Sequence, residues 1–251
     1  MKKNTAIIIQ ARTGSTRLPN KMILPFYKDK GILEIILTRI NKKYSKKYKI
    51  ILATTTNKND NKIEEIGKKI GIDVYRGSET NVLKRFIDTA IEYDAESIVR
   101  VCADNPLLEI EHIENLINEG VKNNYDYVSY KFNENTPVIK SHLGLFTEYT
   151  NVKTLKKVIE LTNDKYYFEH VTNYIYENDK SFNIKFLDLS KELYNKQYRF
   201  TLDTIEDFTT LQKIYSDISE EKLSLRNIVE YVEQNLVLKE KMLTQIKQNT
   251  K

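Results

Sequence analysis

The chain has a single cysteine, Cys102, which excludes a disulfide framework and a multi-cysteine zinc site. Flanked by Val101 and Ala103 at the end of an apolar run, it reads as a small buried hydrophobe. No apolar run approaches the ~20 residues of a membrane helix. Met1-Lys2-Lys3-Asn4 is not followed by a signal-peptide pattern, so a cytoplasmic protein is expected. Long blocks of one charge sign are missing as well: 35 acidic residues stand among 40 basic ones, leaving +5 over 251 residues. A nucleic-acid-binding module needs aromatic and basic residues interleaved on one surface. The Tyr44–Tyr48 stretch comes nearest and reads as a solvated helix end and loop. The small basic excess suits a polyanionic small ligand. Repeats, low-complexity segments and linkers are absent, so residues 1–251 read as a single domain.

Glycine is scarce too, with seven in all, and the scarcity matters most near the N-terminus. The apolar run Thr5–Ile9 ends in Gln10-Ala11-Arg12-Thr13-Gly14-Ser15-Thr16-Arg17-Leu18-Pro19-Asn20-Lys21. One glycine fits neither the P-loop nor the dinucleotide fingerprint. Yet a strand followed by small residues and three cations is where α/β folds hold phosphates. Backbone N–H groups beside Gly14, Ser15 and Thr16 can approach phosphate oxygens, and Arg12, Arg17 and Lys21 supply fixed positive charge.

The rest of the chain alternates. Apolar residues from Ile32 to Ile40 form a helical face, 49–54 a buried strand, 59–70 a helix stopped by Gly71, and 73–75 a strand. The helical stripe that includes Val82, Leu83 and Phe86 follows, then a strand over 97–102 and a helix over 110–121. This rhythm predicts an α/β fold with a doubly wound, mostly parallel sheet. Residues 131–150 are expected to leave the sheet as a hairpin or lid, and the lysine-rich residues 237–251 to fray. An alternating strand is expected to end at Asp203, with Thr204 as N-cap and Glu206 and Asp207 as electrostatic caps of the next helix.

Several polar groups sit at strand ends. Asp104, in Ala103-Asp104-Asn105-Pro106, is favourable turn chemistry and equally a carboxylate placed for a phosphate-bridging metal. Ser78 reads either as a helix N-cap or as a ligand contact, and Arg76 as a ligand contact. His170 is either a packing histidine or, with Glu169, part of a cleft.

The string from Gln10 to Lys21 resembles the signature loop of cytidylyltransferases that make CMP-activated sugars, closest to the SpsF-like branch named after spore-coat polysaccharide biosynthesis. Five more stretches resemble that family's elements in the family's order: 76–83, 103–108, 141–148, 167–172 and 198–208. The resemblance implies a Rossmann-like fold of the nucleotide-diphospho-sugar transferase kind and CTP-dependent transfer of CMP to a sugar, sugar acid or sugar phosphate. It assigns Ala11, Arg12, Ser15, Arg17, Lys21, Arg76 and Ser78 to the nucleotide. Asp104 and Asp203 go to Mg²⁺, with Arg12, Lys21, Asp104 and Asp203 as the catalytic set. His142, Gly144, Glu148, Glu169 and His170 go to the acceptor, and a homodimer is implied. Four family positions differ: Ala103 replaces a glycine, Asn105 a cysteine, Phe146 an aspartate and Phe168 an arginine. The two phenylalanines read either as an apolar wall suited to a hydroxyl-rich or partly deoxygenated acceptor or as packing under the cleft. A silent nucleotide-binding regulator on the same fold, or a nucleic-acid-binding protein, are the alternative classes.

Overall fold

The computed structural model describes residues 4–134 and 136–249. Residues 1–3 and 250–251, at the ends of the expected domain and tail, and residue 135, inside the expected excursion, lie outside them. The apolar run before the loop is β1 (Thr5–Gln10). Its alternate residues serve opposite faces: Ile7 and Ile9 enter one core, Ala6 and Ile8 the other. A strand covered on both faces needs no polar alternation, which is why the run is continuously apolar.

A small hairpin of β2 (Pro25–Tyr27) and β3 (Lys30–Gly31) leads into α1 (Ile32–Tyr44). Then follow β4 (Lys49–Thr55), α2 (Asn61–Ile70), β5 (Asp73–Gly77), α3 (Val82–Glu92) and β6 (Ser97–Cys102). Gly71 closes α2 with φ +80°, the left-handed cap that glycine permits. Next come α4 (Ile113–Lys122), β7 (Tyr127–Asn133), β8 (Thr136–Pro137), β9 (Glu148–Asn151), α5 (Val152–Leu161), α6 (Lys165–Glu169), α7 (Asn173–Glu177) and β10 (Ile184–Asp188). Three helices end the chain: α8 (Ile205–Ile218), α9 (Leu225–Gln234) and α10 (Leu236–Gln248).

The sheet order is β10-β7-β9-β6-β1-β4-β5, with β8 paired to β7. β6, β1, β4 and β5 run parallel, as do β7 and β10; β9 is inserted antiparallel between β6 and β7, and β8 pairs antiparallel with β7. One face carries apolar residues of α1, α2, α4, α8, α9 and α10; the other carries those of α3, α5 and α7. This is the doubly wound, mostly parallel sheet that the rhythm predicts. Among the described residues no helix is long and apolar enough to cross a membrane.

Three expectations need correction. The 131–150 excursion is shorter, because β7 stays in the sheet to Asn133 and Glu148–Asn151 returns as β9, all four residues buried. The tail does not fray from 237: α10 continues to Gln248, with Met242 fully buried and Leu238, one turn earlier, packed on the same core. No strand forms over 198–203. Tyr198, Phe200 and Leu202 are buried, but the segment's link to the neighbouring loop is a backbone bond from Phe200 N to the His142 carbonyl, 2.9 Å. Alternation reports burial on one side, and a ladder also needs a partner strand in register.

Candidate active site

The loop after β1 is held open by a buried carboxylate that sequence reading missed. Asp60, 2% exposed, accepts from both the backbone N–H and the hydroxyl of Thr13 at 2.7 Å through Oδ1, and from the Thr55 hydroxyl through Oδ2. The Thr13 carbonyl in turn accepts from Ser15 N and Asn20 N. Asp60 lies 47 residues from Thr13, and no local signal marks a residue that acts across such a separation.

So pinned, the loop edges a cleft of about 970 Å³ at the carboxyl ends of β1 and β6. Its three cations each meet a carboxylate from a different element. Lys21 Nζ lies 2.9 Å from Asp104 just past β6, Arg17 2.7 Å from Asp203 just before α8, and Arg12 3.2 Å from Glu169 at the end of α6. Lys21 is only 7% exposed and also donates to the Leu202 carbonyl at 2.6 Å. Asp203 is positioned by its neighbours. The Asp207 carboxylate accepts from the backbone N–H of Asp203 and of Thr204, both 2.9 Å, and from Arg199 Nε and Nη2, both 2.7 Å. Thr204 and Asp207 complete a capping box on α8, so Asp207 does more than the expected electrostatic capping. Burial opposes its charge, but the Arg199 and backbone bonds outweigh it and lower its pKa.

Ala11, Arg12, Ser15, Arg17, Lys21, Asp104, Asp203, Gly144, Glu169 and His170 all line this cleft. Four other expected residues have different surroundings. Arg76 shares its strand face with Val74, toward α2, and is consumed there by Glu64 and Asn61 (both 2.7 Å) and by the Thr55 and Asn57 carbonyls. Ser78 accepts from Asn81 N at 3.0 Å; the N-cap of α3 is Asn81, whose side chain accepts from Lys84 N. Glu148 is buried on β9, paired with Arg100 at 2.6 Å and bonded to the Tyr127 and Thr172 hydroxyls. His142 turns toward Arg199, whose Nη1 lies 2.7 Å from its Nδ1. A guanidinium only donates, so Nδ1 accepts and the imidazole proton sits on Nε2.

On the Glu169 side of the cleft, α6 and α7 are separated at His170–Thr172, where Val171 has φ +20°. Tyr166, His170, Asn173 and Tyr176 thereby face the cleft from two short helices. Burial lowers the His170 pKa, which favours the neutral ring. Phe146 lines the cleft and stacks on His112, with centroids 5.2 Å apart and planes 8° apart, whereas Phe168 packs into the core beneath. Gly144, at φ +56°, is required by packing: a Cβ there would stand 2.8 Å from the Phe200 carbonyl.

The cleft floor holds residues with no sequence signal beyond strand parity. Arg100 and Cys102 share the Ile98 face of β6, and Arg85 reaches the cleft from α3. The lone cysteine is therefore a cleft residue and not buried filling, and burial pushes its thiol up to about 11.

A doubly wound sheet whose first strand delivers a basic, glycine-poor loop, facing carboxylates at neighbouring element ends, defines a nucleotide-handling transferase of the Rossmann-like class. Residues 6–246 match the cytidylyltransferase family, and the chain belongs to it; it is a nucleotidyltransferase. It is 40% identical over 232 residues to an uncharacterized protein of Methanocaldococcus jannaschii, covering 92% of this chain and 91% of that one. It is 32% identical over 218 residues to the spore coat polysaccharide biosynthesis protein SpsF of Bacillus subtilis, covering 85% and 87%. A solved cytidylyltransferase structure from Leptospira borgpetersenii superposes with a TM-score of 0.83 at 30% identity, covering 94% and 96%.

Proposed function

We propose that this chain transfers CMP from CTP to a sugar, sugar acid or sugar phosphate, with release of pyrophosphate. The observation that carries the reading is Lys21, a buried ammonium bridging the Asp104 carboxylate and the Leu202 carbonyl, with Arg12 and Arg17 beside it on one pinned loop. An acceptor oxygen attacks the α-phosphorus as the bond to the leaving pyrophosphate breaks. Negative charge grows on the bridging oxygen, and cations already in place stabilise it without reorganisation. In this reading Arg12, Arg17 and Lys21 exchange their carboxylate partners for phosphate oxygens. That exchange releases Asp104 from Lys21 and Asp203 from Arg17.

Those two carboxylates fit Mg²⁺. Among the described residues no cluster of three or more potential ligands exists, but Mg²⁺ bound to a nucleotide takes one or two carboxylates and completes its shell with phosphates and water. Bound there, it would polarise the phosphoryl oxygens. The acceptor lies against Glu169, His170, Tyr166 and Asn173, whose hydrogen-bonding groups suit hydroxyls. Homodimerisation, a cytoplasmic location and a role in surface polysaccharide synthesis belong to the same reading, the last supported by the SpsF relative.

The test is a panel of CTP, UTP, ATP and GTP against a sugar-acid and sugar-phosphate library, read by pyrophosphate release with Mg²⁺. CTP should give turnover with at least one acceptor. Preference for another nucleotide, or no affinity for any of the four, would defeat the proposal.

A further inference from the structure

Glu148 opens β9 opposite Arg100 of β6 and is 1% exposed. Its carboxylate joins three elements that are distant in the chain. Oε2 accepts from Arg100 Nη1 at 2.6 Å, and Oε1 accepts from the Tyr127 hydroxyl of β7. Oε1 also accepts from the Thr172 hydroxyl at 2.9 Å. Thr172 is fully buried in the break between α6 and α7, next to Val171, whose φ of +20° is unusual for a β-branched residue. A backbone in so sparsely populated a region persists only where its surroundings fix it.

The break carries the cleft wall on both of its sides. Glu169 and His170 precede Thr172, Asn173 and Tyr176 follow it, and all four line the cleft. Asn173 ties the two halves together: its amide donates to the Tyr166 hydroxyl at 2.7 Å, and its Oδ1 accepts from the Tyr176 hydroxyl. The Tyr166 ring lies 4.7 Å from that of His170. α6 and α7 have five residues each, too short to hold a helix alone. α6 buries no residue and α7 buries only Ile175. A wall so lightly packed takes its position from whatever anchors the break.

We infer that Glu148 is a positioning residue: through the Thr172 hydroxyl it fixes the α6–α7 break, and with it the placement of His170 and Asn173 against the second substrate. It touches no substrate itself. A carboxylate paired with a guanidinium only accepts, so the Thr172 hydroxyl donates, and a charged acceptor makes this the stronger kind of hydrogen bond. Arg100 balances the charge in the core, so the anchor does not move to reach solvent. The inference rests on the reading above for what is positioned, and not for the anchoring.

Thr172→Val keeps the shape and loses the donor, leaving Glu148 its bonds to Arg100 and Tyr127; Thr172→Ser keeps the donor. The chain has three histidines, so each imidazole can be titrated by NMR, with His170→Gln assigning one signal. Burial holds the His170 pKa down, with Glu169, Arg100 and Glu177 as the charges around it. Neither threonine variant alters a charge. In Thr172→Val the wall loosens, water reaches the ring, and the His170 pKa should rise toward the ordinary value of about 6.5. His112 and His142 should titrate as in the wild type. With the library acceptor that is turned over best, kcat/KM should fall about ten- to a hundredfold. CTP affinity, by calorimetry with Mg²⁺, should hold. Thr172→Ser should restore the titration and the kinetics.

A normally melting Thr172→Val with wild-type His170 titration overturns the inference. So does an equal change in Thr172→Ser, or an equal loss of CTP affinity. If Thr172→Val fails to fold, Thr172→Ser decides: wild-type titration upholds the inference and a shifted His170 overturns it. A wild type that turns over no acceptor defeats the function proposed above, and the His170 titration still decides the anchoring.

Discussion

Lys21 shows what a single side chain contributes when its surroundings are rigid. Its Nζ already contacts two protein oxygens, so its position is set before any ligand arrives. Lys21→Ala should lower kcat about a hundredfold or more, the scale of losing one pre-placed charge-stabilising group. CMP lacks the pyrophosphate, so its affinity should change far less. Parallel measurement of kcat and CMP binding decides, and equal losses would place Lys21 at the α-phosphate. Arg76 teaches the converse. In the sequence it reads as lying past a strand end in a ligand-like string. It sits instead inside β5, whose parity turns it toward α2, where Glu64 and three other oxygens accept from four of its five N–H groups. Residue type and spacing were legible; the face was legible only with the strand register known.

At the scale of elements, the start of α8 separates a cleft carboxylate from a packing carboxylate within five residues. Asp207 is 2% exposed and neutralises Arg199, whose side chain is fully buried. Removing that charge strands the guanidinium, and breaking a buried pair costs about 3–5 kcal/mol. Asp207→Asn should therefore lower the melting temperature by about 6 °C or more in a chain of this size. Asp203→Asn, on the same turn, should melt close to the wild type and lose turnover. Thermal unfolding and pyrophosphate release on both variants test the division. A strongly destabilised Asp203→Asn would make Asp203 a structural residue. The Asp-Thr-x-Glu-Asp string showed three carboxylates at a helix start, but which of them faces the cleft was decided by Arg199 packing against Asp207.

For the whole molecule, three ion pairs bind the 11–21 loop to the end of β6, to α6 and to the start of α8. Each cation is matched by protein, so a ligand must bring phosphate and a divalent cation together to exchange all three pairs. Mg²⁺ alone should leave the melting temperature almost unchanged, CTP alone should raise it weakly, and the two together should raise it by more than the sum. Simple additivity in differential scanning fluorimetry would show that the pairs do not exchange. Stability should also depend on pH in a known direction. Burial lowers the pKa of both His112 and His170. Below the ordinary histidine value of about 6.5 the unfolded chain binds protons that the folded chain refuses. The folded state is thus favoured above that pH and loses stability as the pH falls through it. Melting temperatures taken from pH 7.5 to 5 should fall. His112→Phe, which keeps a ring against Phe146, should reduce the slope.

The sequence by itself determined the alternation of strands and helices, and with it the sheet. Burial on two faces writes apolar periodicity locally, residue by residue. It also determined the basic loop, because the ordered string from Gln10 to Lys21 holds its charges within one short segment. Only the tertiary structure decided what meets that loop. Asp60 beneath it, Glu148 withdrawn into the core with Arg100, and Arg85 in the floor act across tens of residues, through pleat parity and helix packing that no local pattern encodes. The inserted strand β9 and the docked α10 were hidden for the same reason. Few of their buried residues are apolar, and each becomes a core position only once the partner surface exists.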